Sequence, residues 1–212
     1  MADHGRVRPT VRDWPLSSPE TRLCVVRVQY LASEWSDGRT VLAMVGRVEV
    51  RQVEDDQWSV VAWLWQLFRH DLAEVVGALP YADGRYQTRG LTGFPNPDGA
   101  GYLAWASHPN TGEDAPVGFA LVEGLDGARR SVTAFWVAPT LRGEGLGMLL
   151  AQTSLNRHPG PWSIGFQHDN VSAGAFWRAV ASRAFGVGAW SETRRGVPGR
   201  PGVPPDHWIE TL

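Results

Sequence analysis

The stretch WVAPTLRGEGLGMLLAQ, residues 136–152, passes from an apolar strand-like run through a glycine-rich loop into a helical pattern. Gly143, Gly145 and Gly147 stand at every second position, and Arg142 precedes them. Alternate glycines let successive backbone N–H groups turn inward around an anion, and the N-terminus of the following helix adds partial positive charge. The stretch therefore predicts a phosphate-binding loop between a strand and a helix.

Two common phosphate-binding loops do not fit these residues. The phosphate loop of ATP- and GTP-using enzymes has Lys and then Ser or Thr after its last glycine, where this chain has Met148 and Leu149. The dinucleotide fingerprint spaces its glycines G-x-G-x-x-G in an opening βαβ unit, whereas this loop is G-x-G-x-G and lies near residue 145. The pattern that remains is R-x-x-G-x-G, and a plain structural turn is the alternative interpretation.

The order of elements around the loop is that of an α/β domain. From Val48 the chain reads as a strand (VEVRQV), a helix (WSVVAWLWQLFRHDLAEVVGAL), a polar loop, three strands and the glycine loop with its helix. A strand (WSIGFQ), another helix and a weak strand around residues 190–194 follow. We expect a mixed central sheet of about six to seven strands flanked by helices.

The length of 212 residues suits one domain with an appendage. We take residues 48–212 as the domain and residues 1–47 as an N-terminal extension, whose CVVRVQY run favours a strand as much as a helix. Met44 stands directly before VGRVEVRQV and is a candidate alternative start. No chemistry is assigned to the extension.

Composition argues against several classes of protein. The formal net charge of −2 provides no field for gripping nucleic acid, and a lone Cys24 excludes an internal disulfide or a cysteine-built metal site. No apolar run approaches the roughly 18–20 residues of a membrane helix, and the first residues lack a signal-peptide pattern. We therefore expect a cytoplasmic protein without a bound metal, a membrane partner or a nucleic-acid partner.

A second motif follows the loop by about 25 residues. It reads NVSAGAFW at 170–177, after a strand that ends at Gln167, and the strand before the loop ends FWVAP at 135–139. The two motifs resemble the acyl-CoA site of the GNAT superfamily of N-acetyltransferases, where V-x-P precedes R-x-x-G-x-G and a later helix opens N-x-x-A-x-x-F-[YW]. The resemblance covers roughly residues 48–212. It looks closest to a bacterial branch of predicted acetyltransferases, through L-F-x-H-D-L, D-G-x-Y, V-G-F-A-L-V, W-x-I-x-F-Q-x-x-N and F-W-R-x-V.

The resemblance implies a GNAT fold and transfer of an acyl group, usually acetyl, from coenzyme A to an amine. Acetyl-CoA would be the cosubstrate, its pyrophosphate at the glycine loop and its pantetheine arm between two splayed strands. The strand backbone would also polarise the thioester carbonyl. The residues implied to bind coenzyme A are Phe135, Trp136, Val137, Arg142, Gly143, Glu144, Gly145, Leu146, Gly147, Asn170, Ala173 and Phe176.

The proton chemistry is where this sequence departs from the family pattern. An alkyl amine is only about one part in a thousand neutral at pH 7, so a base is expected. Many relatives carry an acid on the strand before the loop, but residues 131–134 read SVTA. Many also have a tyrosine in the late helix that protonates the leaving thiolate, and Trp177 stands there instead.

Other side chains are therefore the candidates for catalysis. His168 is the first candidate base because imidazole titrates near neutrality, with an ordinary surface histidine as the alternative. Asp71 and Glu74 lie three apart on one helix face, where they could attract a cationic amine or simply face solvent. With Asn170, which would contact the pantetheine, they complete the candidate catalytic set. We expect the loop of residues 80–101 to roof the acceptor pocket.

These observations predict an acetyl-CoA-dependent N-acetyltransferase that acts on the primary amine of a small molecule. One alternative is acetylation of a protein or peptide, at a lysine or an N-terminus. Another is a non-catalytic acyl-CoA-binding module, which the missing strand acid and the tryptophan keep open. The sequence also leaves open whether two copies of the chain form a homodimer.

Overall fold

The computed structural model describes residues 48–211. The predicted N-terminal extension, with its candidate start at Met44, lies outside the described residues, and so does the last residue of the chain. Within the described range, no helix is long and apolar enough to cross a membrane.

Seven strands form one mixed sheet in the order β1-β2-β3-β4-β5-β7-β6, which confirms the expected α/β sheet of six to seven strands. Among the described strands, β4 and β5 are the parallel pair, and the other neighbours are antiparallel. The strands are β1 (Val48–Gln52), β2 (Gly99–Ser107), β3 (Asp114–Glu123), β4 (Arg130–Val137), β5 (Trp162–Phe166), β6 (Trp190–Arg195) and β7 (Asp206–Thr211).

Strand β2 begins earlier than composition predicts. Gly99, Ala100 and Gly101 read as part of a glycine-rich loop, yet they pair with the end of β3, from Glu123 back to Leu121. Cross-strand pairing outweighs the weak strand preference of glycine here. Close packing also demands a small residue, because a Cβ on Gly101 would lie 2.8 Å from the side chain of Val53.

Three helices cover the sheet: α1 (Trp58–Val76), α2 (Leu146–Asn156) and α3 (Val171–Ala184). Short 3₁₀ turns at Asp55–Gln57 and Pro139–Leu141 lead into α1 and into the glycine loop. The C-terminus of α1 is capped by Gly77 in the left-handed region (φ 62°).

The sheet separates two apolar clusters, because alternate residues of a strand point to opposite faces. On one face Phe119 and Leu121 of β3 pack with Val61, Leu64 and Trp65 of α1. The other face holds α2 and α3. There Ala120 and Val122 of β3 share a cluster with Leu150 of α2, Val180 of α3 and residues of the remaining strands.

Strands β4 and β5 pair only where they begin. The ladder joins Arg130 to Trp162 and Ser131 to Ser163, although each strand continues for several residues. A bulge accompanies the divergence: Leu121 of β3 opposes Ala134, and the next pair is already Val122 with Val132. The extra residue, Thr133, bends β4 away from a regular ladder. The two central strands therefore open toward their C-terminal ends.

The β6–β7 hairpin is tied to α3 by a two-pronged ion pair. Arg178 donates from Nε to Oε2 of Glu192 (2.7 Å) and from a terminal nitrogen to Oε1 (2.8 Å). These bonds outweigh burial and, with a bond from His207, lower the pKa of Glu192 to about 2. Glu192 is therefore ionised at neutral pH.

Strands β3 and β4 pack closely at Gly118 of β3, and a substitution there can test this contact. A Cβ at this position would stand 2.9 Å from the backbone oxygen of Trp136, so one of the two strands must shift. We expect Gly118→Ala to lower the free energy of unfolding by about 1–3 kcal/mol in urea titrations. Gly93→Ala is the control, since a Cβ there has no neighbour within 4 Å. Equal losses in the two variants would contradict this account of the β3–β4 contact.

The Arg178–Glu192 pair should make stability depend on acid. A glutamate carboxyl ordinarily has a pKa of 4.5, and in the folded protein the pKa of Glu192 is about 2, so the folded state favours the ionised form. Its contribution is complete above about pH 4.5 and is lost as the pH falls toward 2. We expect Glu192→Gln to be about 1 kcal/mol less stable at pH 7 and the gap to close between those values. A gap independent of pH would contradict the ion pair as its cause.

Candidate active site

A cavity of about 510 Å³ lies beside the C-terminal end of β4, beyond the point where β4 and β5 cease to pair. Its walls come from the second half of α1, the end of β4, the glycine loop with the start of α2, and the first turns of α3. The volume falls within the range of about 300–1,000 Å³ that is typical of small-molecule pockets.

The glycine loop lies at one end of this cavity. Gly143 and Gly145 adopt φ values of 82° and 85°, which other residues rarely tolerate. Gly145 is the N-cap of α2, and the Leu149 N–H bonds to its carbonyl (3.0 Å). The three preceding N–H groups of the helix have no acceptor within the helix. This is the anion-binding arrangement that the sequence predicts.

Gly147 has a packing role as well. A Cβ at this position would lie 3.2 Å from the ring of Phe176. That ring packs 5.2 Å from Phe135 and 4.9 Å from Trp177, measured between ring centroids. The third glycine of the motif thus lets α2 approach the aromatic wall that β4 and α3 build between them.

The edge of β4 that faces β5 is open beyond Ser131, and Phe135, Trp136 and Val137 all line the cavity. An extended ligand could pair with backbone groups along such an edge. One group is already engaged, because the Val137 carbonyl accepts a bond from Nε of Arg142 (2.9 Å). Arg142 therefore holds the loop against the end of the strand.

Asp71 of α1 lines the cavity and is bound on two sides. It accepts a hydrogen bond from the indole Nε1 of Trp136 (2.9 Å) and forms an ion pair with Arg142. Burial favours the neutral carboxyl, but the bonds from Trp136 and Arg142 outweigh it and lower the pKa of Asp71. A carboxylate in this state is a weak proton acceptor at neutral pH. Its geometry is that of an anchor between α1, β4 and the glycine loop.

Glu74, the second acid predicted on α1, is exposed and does not line the cavity. The predicted roof is also absent: no residue of the 80–101 stretch lines this cavity. The amide of Gln66 on α1 donates to the Tyr86 carbonyl (3.2 Å) and accepts from its N–H (2.7 Å). The indole of Trp65 donates to the Gln87 carbonyl (2.9 Å). These bonds hold the loop against α1, and sequence patterns cannot reveal such contacts.

Asn170 is the N-cap of α3 and also lines the cavity. Its Oδ1 accepts from the Ala173 N–H and from the hydroxyl of Ser172 (3.2 Å each). Among the described residues its amide nitrogen has no partner, so it can donate to a ligand in the cavity. The cap thereby fixes the direction of the amide.

The structure brings together all but two of the residues implied to bind coenzyme A. The exceptions are Glu144, whose side chain does not line the cavity, and Leu146, whose side chain is buried in the core. One wall of the cavity was not predicted from the sequence; it is formed by Phe68, Leu72 and Val75 of α1. Their helical spacing marks an apolar face, but it does not say what that face covers.

The departures from the family pattern have structural counterparts. No carboxylate lies on β4, where Thr133 occupies the bulge. Trp177 is buried and lines the cavity, in the place implied for a tyrosine. His168 is exposed and lies outside this cavity, beside a second one of about 250 Å³ that shares Asn170 with the first. Within residues 48–211, no group of three or more His, Cys, Asp or Glu side chains could hold a metal ion.

Comparison with known proteins rests on structure alone. Neither a protein-family model nor a curated protein matches the sequence. The fold is similar to the ribosomal-protein-S18-alanine N-acetyltransferase of Escherichia coli (13% identity, TM-score 0.51, 78% of this chain and 93% of that chain). It is also similar to Arabidopsis thaliana NAA60 in complex with a bisubstrate analogue (13%, 0.53, 78% and 97%).

A third similar structure is an acetyltransferase of the GNAT family from Staphylococcus aureus Mu50 (15% identity, TM-score 0.51, 78% of this chain and 99% of that chain). At such identities the likeness concerns the fold. Residues 48–211 of this chain have the GNAT fold.

Proposed function

We propose that this protein is an acetyl-CoA-dependent N-acetyltransferase that acts on the primary amine of a small molecule. The observation that carries the proposal is the continuity of one cavity. It runs from the left-handed glycines at the N-terminus of α2, along the open edge of β4, to the amide of Asn170. A diphosphate attached to an extended, amide-containing arm matches these three features in turn.

Different groups of the cavity would bind the pyrophosphate and the pantetheine arm of coenzyme A. The pyrophosphate would accept hydrogen bonds from the N–H groups that open α2, where the helix dipole also favours negative charge. The pantetheine would lie along β4, with the amide nitrogen of Asn170 as a donor and the Phe135 and Phe176 rings as an apolar wall. Holding amine and thioester side by side supplies much of the rate in such a transfer.

A small acceptor fits better than a polypeptide. Phe68, Leu72 and Val75 of α1 add an apolar wall to the main cavity, which at about 510 Å³ has the volume of a small-molecule pocket. A protein or peptide lysine, or an N-terminus, needs a groove through which a chain can pass.

The NAA60 structure with acetyl-CoA (TM-score 0.52, 12% identity) supports acyl-CoA use only through its similar fold.

The second candidate function is a non-catalytic acyl-CoA-binding module. One observation favours it. Asp71 is the carboxylate that lines the main cavity, and its ion pair with Arg142 makes it a weak proton acceptor. An acetyltransferase must release the free thiol of coenzyme A when acetyl-CoA and an acceptor amine are supplied together. A thiol assay over a panel of small amines and a lysine peptide separates the two functions and the two acceptor classes.

Thermal unfolding with coenzyme A tests the binding site itself. A ligand at about 100 times its Kd stabilises by about 2.7 kcal/mol, so we expect acetyl-CoA and CoA to raise Tm by roughly 5–10 °C. ATP and NAD should leave Tm unchanged, because neither matches the open edge of β4. In Gly145→Glu the shift should vanish, since a carboxylate would occupy the pyrophosphate position.

Gly188→Glu is the matched control for that variant. Gly188 has a φ of 83°, close to the 85° of Gly145, and lies outside the cavity. It incurs the same backbone strain and should keep the full shift with coenzyme A. Loss of the shift in both variants, or no shift in the wild type at millimolar coenzyme A, would contradict the assigned site.

The contact between Asp71 and Arg142 can be measured by a double-mutant cycle. Asp71→Asn and Arg142→Gln each remove one charge of the ion pair, and Asp71→Asn also keeps the side-chain size. We expect their effects on unfolding to be less than additive, with a coupling energy on the order of 0.5–1 kcal/mol at low salt. Additive effects would mean that the pair does not tie α1 to the glycine loop.

A further inference from the structure

Three titratable side chains outside the acyl-CoA cavity form a hydrogen-bonded chain. Oε1 of Glu192 on β6 bonds to Nδ1 of His207 on β7 (2.5 Å), and Nε2 of His207 bonds to Nδ1 of His168 (2.9 Å). The planes of the two imidazole rings are nearly parallel, at an angle of 22°. A carboxylate, a buried imidazole and an exposed imidazole are thus arranged in series.

The central ring is held firmly. His207 is 5% exposed and stacks on Phe166, with 5.2 Å between centroids and 16° between planes. The guanidinium of Arg178 lies over the ring of Phe166, 5.5 Å from its centroid. The same guanidinium binds both carboxylate oxygens of Glu192. Packing and ion pairing therefore prevent His207 from turning away from either partner.

The direction of the hydrogen bonds follows from the carboxylate. Ionised Glu192 can only accept, so Nδ1 of His207 carries a hydrogen. When the His207 ring carries a single proton, that proton is therefore on Nδ1, and Nε2 is a lone-pair acceptor. His168 must then donate from Nδ1, and its own Nε2 is left with a free lone pair. A histidine in this tautomer is ready to accept a proton.

That lone pair belongs to a residue on the second cavity, which His168, His207 and Asn170 all line. Asn170 lies on both cavities, so the second cavity borders the place assigned to the pantetheine arm. We propose that the second cavity admits the acceptor amine, that His168 is the general base, and that His207 and Glu192 are its positioning residues. This inference rests on the proposed function.

The proton balance of the transfer is complete with these groups. The substrate ammonium gives one proton to Nε2 of His168, and the neutral nitrogen then attacks the thioester carbon. The new C–N bond forms, and the C–S bond breaks as the tetrahedral intermediate collapses. The second proton of the nitrogen passes to the leaving thiolate, which becomes the thiol of coenzyme A. His168, being exposed, returns the first proton to solvent.

The tautomer of His168 can be read directly from the ¹⁵N chemical shifts of its ring in ligand-free protein. We expect Nδ1–H with an unprotonated Nε2 in the wild type at a pH where the ring is neutral. In His207→Phe, which removes the acceptor but keeps an aromatic ring, His168 should return to the tautomer mixture of a solvated histidine. Nε2–H in the wild type would overturn the relay.

Kinetics then test what the relay does. With an amine that the thiol assay identifies, we expect His168→Gln to lower kcat by about 10²-fold or more, with the KM for acetyl-CoA unchanged. Glu192→Gln should lower kcat in the same way, since glutamine can donate as well as accept. Glu210→Gln is the matched control, because Glu210 pairs with Arg195 on the same hairpin without contacting either histidine. Its kcat should stay within about twofold of wild type.

The outcomes separate this inference from the proposed function. Loss of the coenzyme A shift in the wild type overturns the proposed function, whereas the tautomer is measured without ligand and decides the relay by itself. Normal kcat in His168→Gln overturns the role of His168 as base while leaving acetyl transfer intact. Because His168 is exposed, that variant should fold even if Glu192→Gln is unstable.

Discussion

The divergence of β4 from β5 is the constraint on which the rest of this structure depends. Two parallel strands in the middle of a sheet would ordinarily pair along their whole length, because unpaired backbone groups are costly when buried. Here the ladder stops after Ser131 and Ser163, and a bulge at Thr133 turns β4 aside. The cavity exists because these strand ends are apart, and the exposed edge of β4 is what an extended ligand can use.

The elements around the opening keep it from closing. The ring of Trp177 meets the rings of Phe135 and Phe176 edge to face, and the three rings line one side of the cavity. Gly147 allows α2 to approach Phe176 closely. On the other side the Asp71–Arg142 pair connects α1 to the glycine loop. The groups that line the main cavity are therefore also the groups that join its walls.

In the proposed function, the chemistry is distributed over two neighbouring cavities. The larger one offers backbone donors, an amide and apolar walls, which would suit a coenzyme, and the carboxylate that lines it, Asp71, is paired with Arg142. The smaller one has the imidazoles, held by Glu192 and Arg178, and Asn170 lies between the two. On the proposed mechanism, this division lets a protein without an acid on β4 have a proton acceptor in the neighbouring cavity.

The sequence by itself determined the local backbone structure of the proposed coenzyme site. R-x-x-G-x-G between a strand and a helix, followed by a capping Asn170, specifies backbone conformation and helix ends within a few residues, and such short-range patterns survive without knowledge of the fold. Only the tertiary structure decided which side chains act together. His168, His207 and Glu192 come from a loop and two different strands, Asp71 meets Arg142 across 71 positions, and the 80–101 loop lies on α1 instead of over the cavity. Contacts between distant residues depend on sheet order and helix packing, and those follow from the burial of the whole chain's apolar surface, which no short motif records.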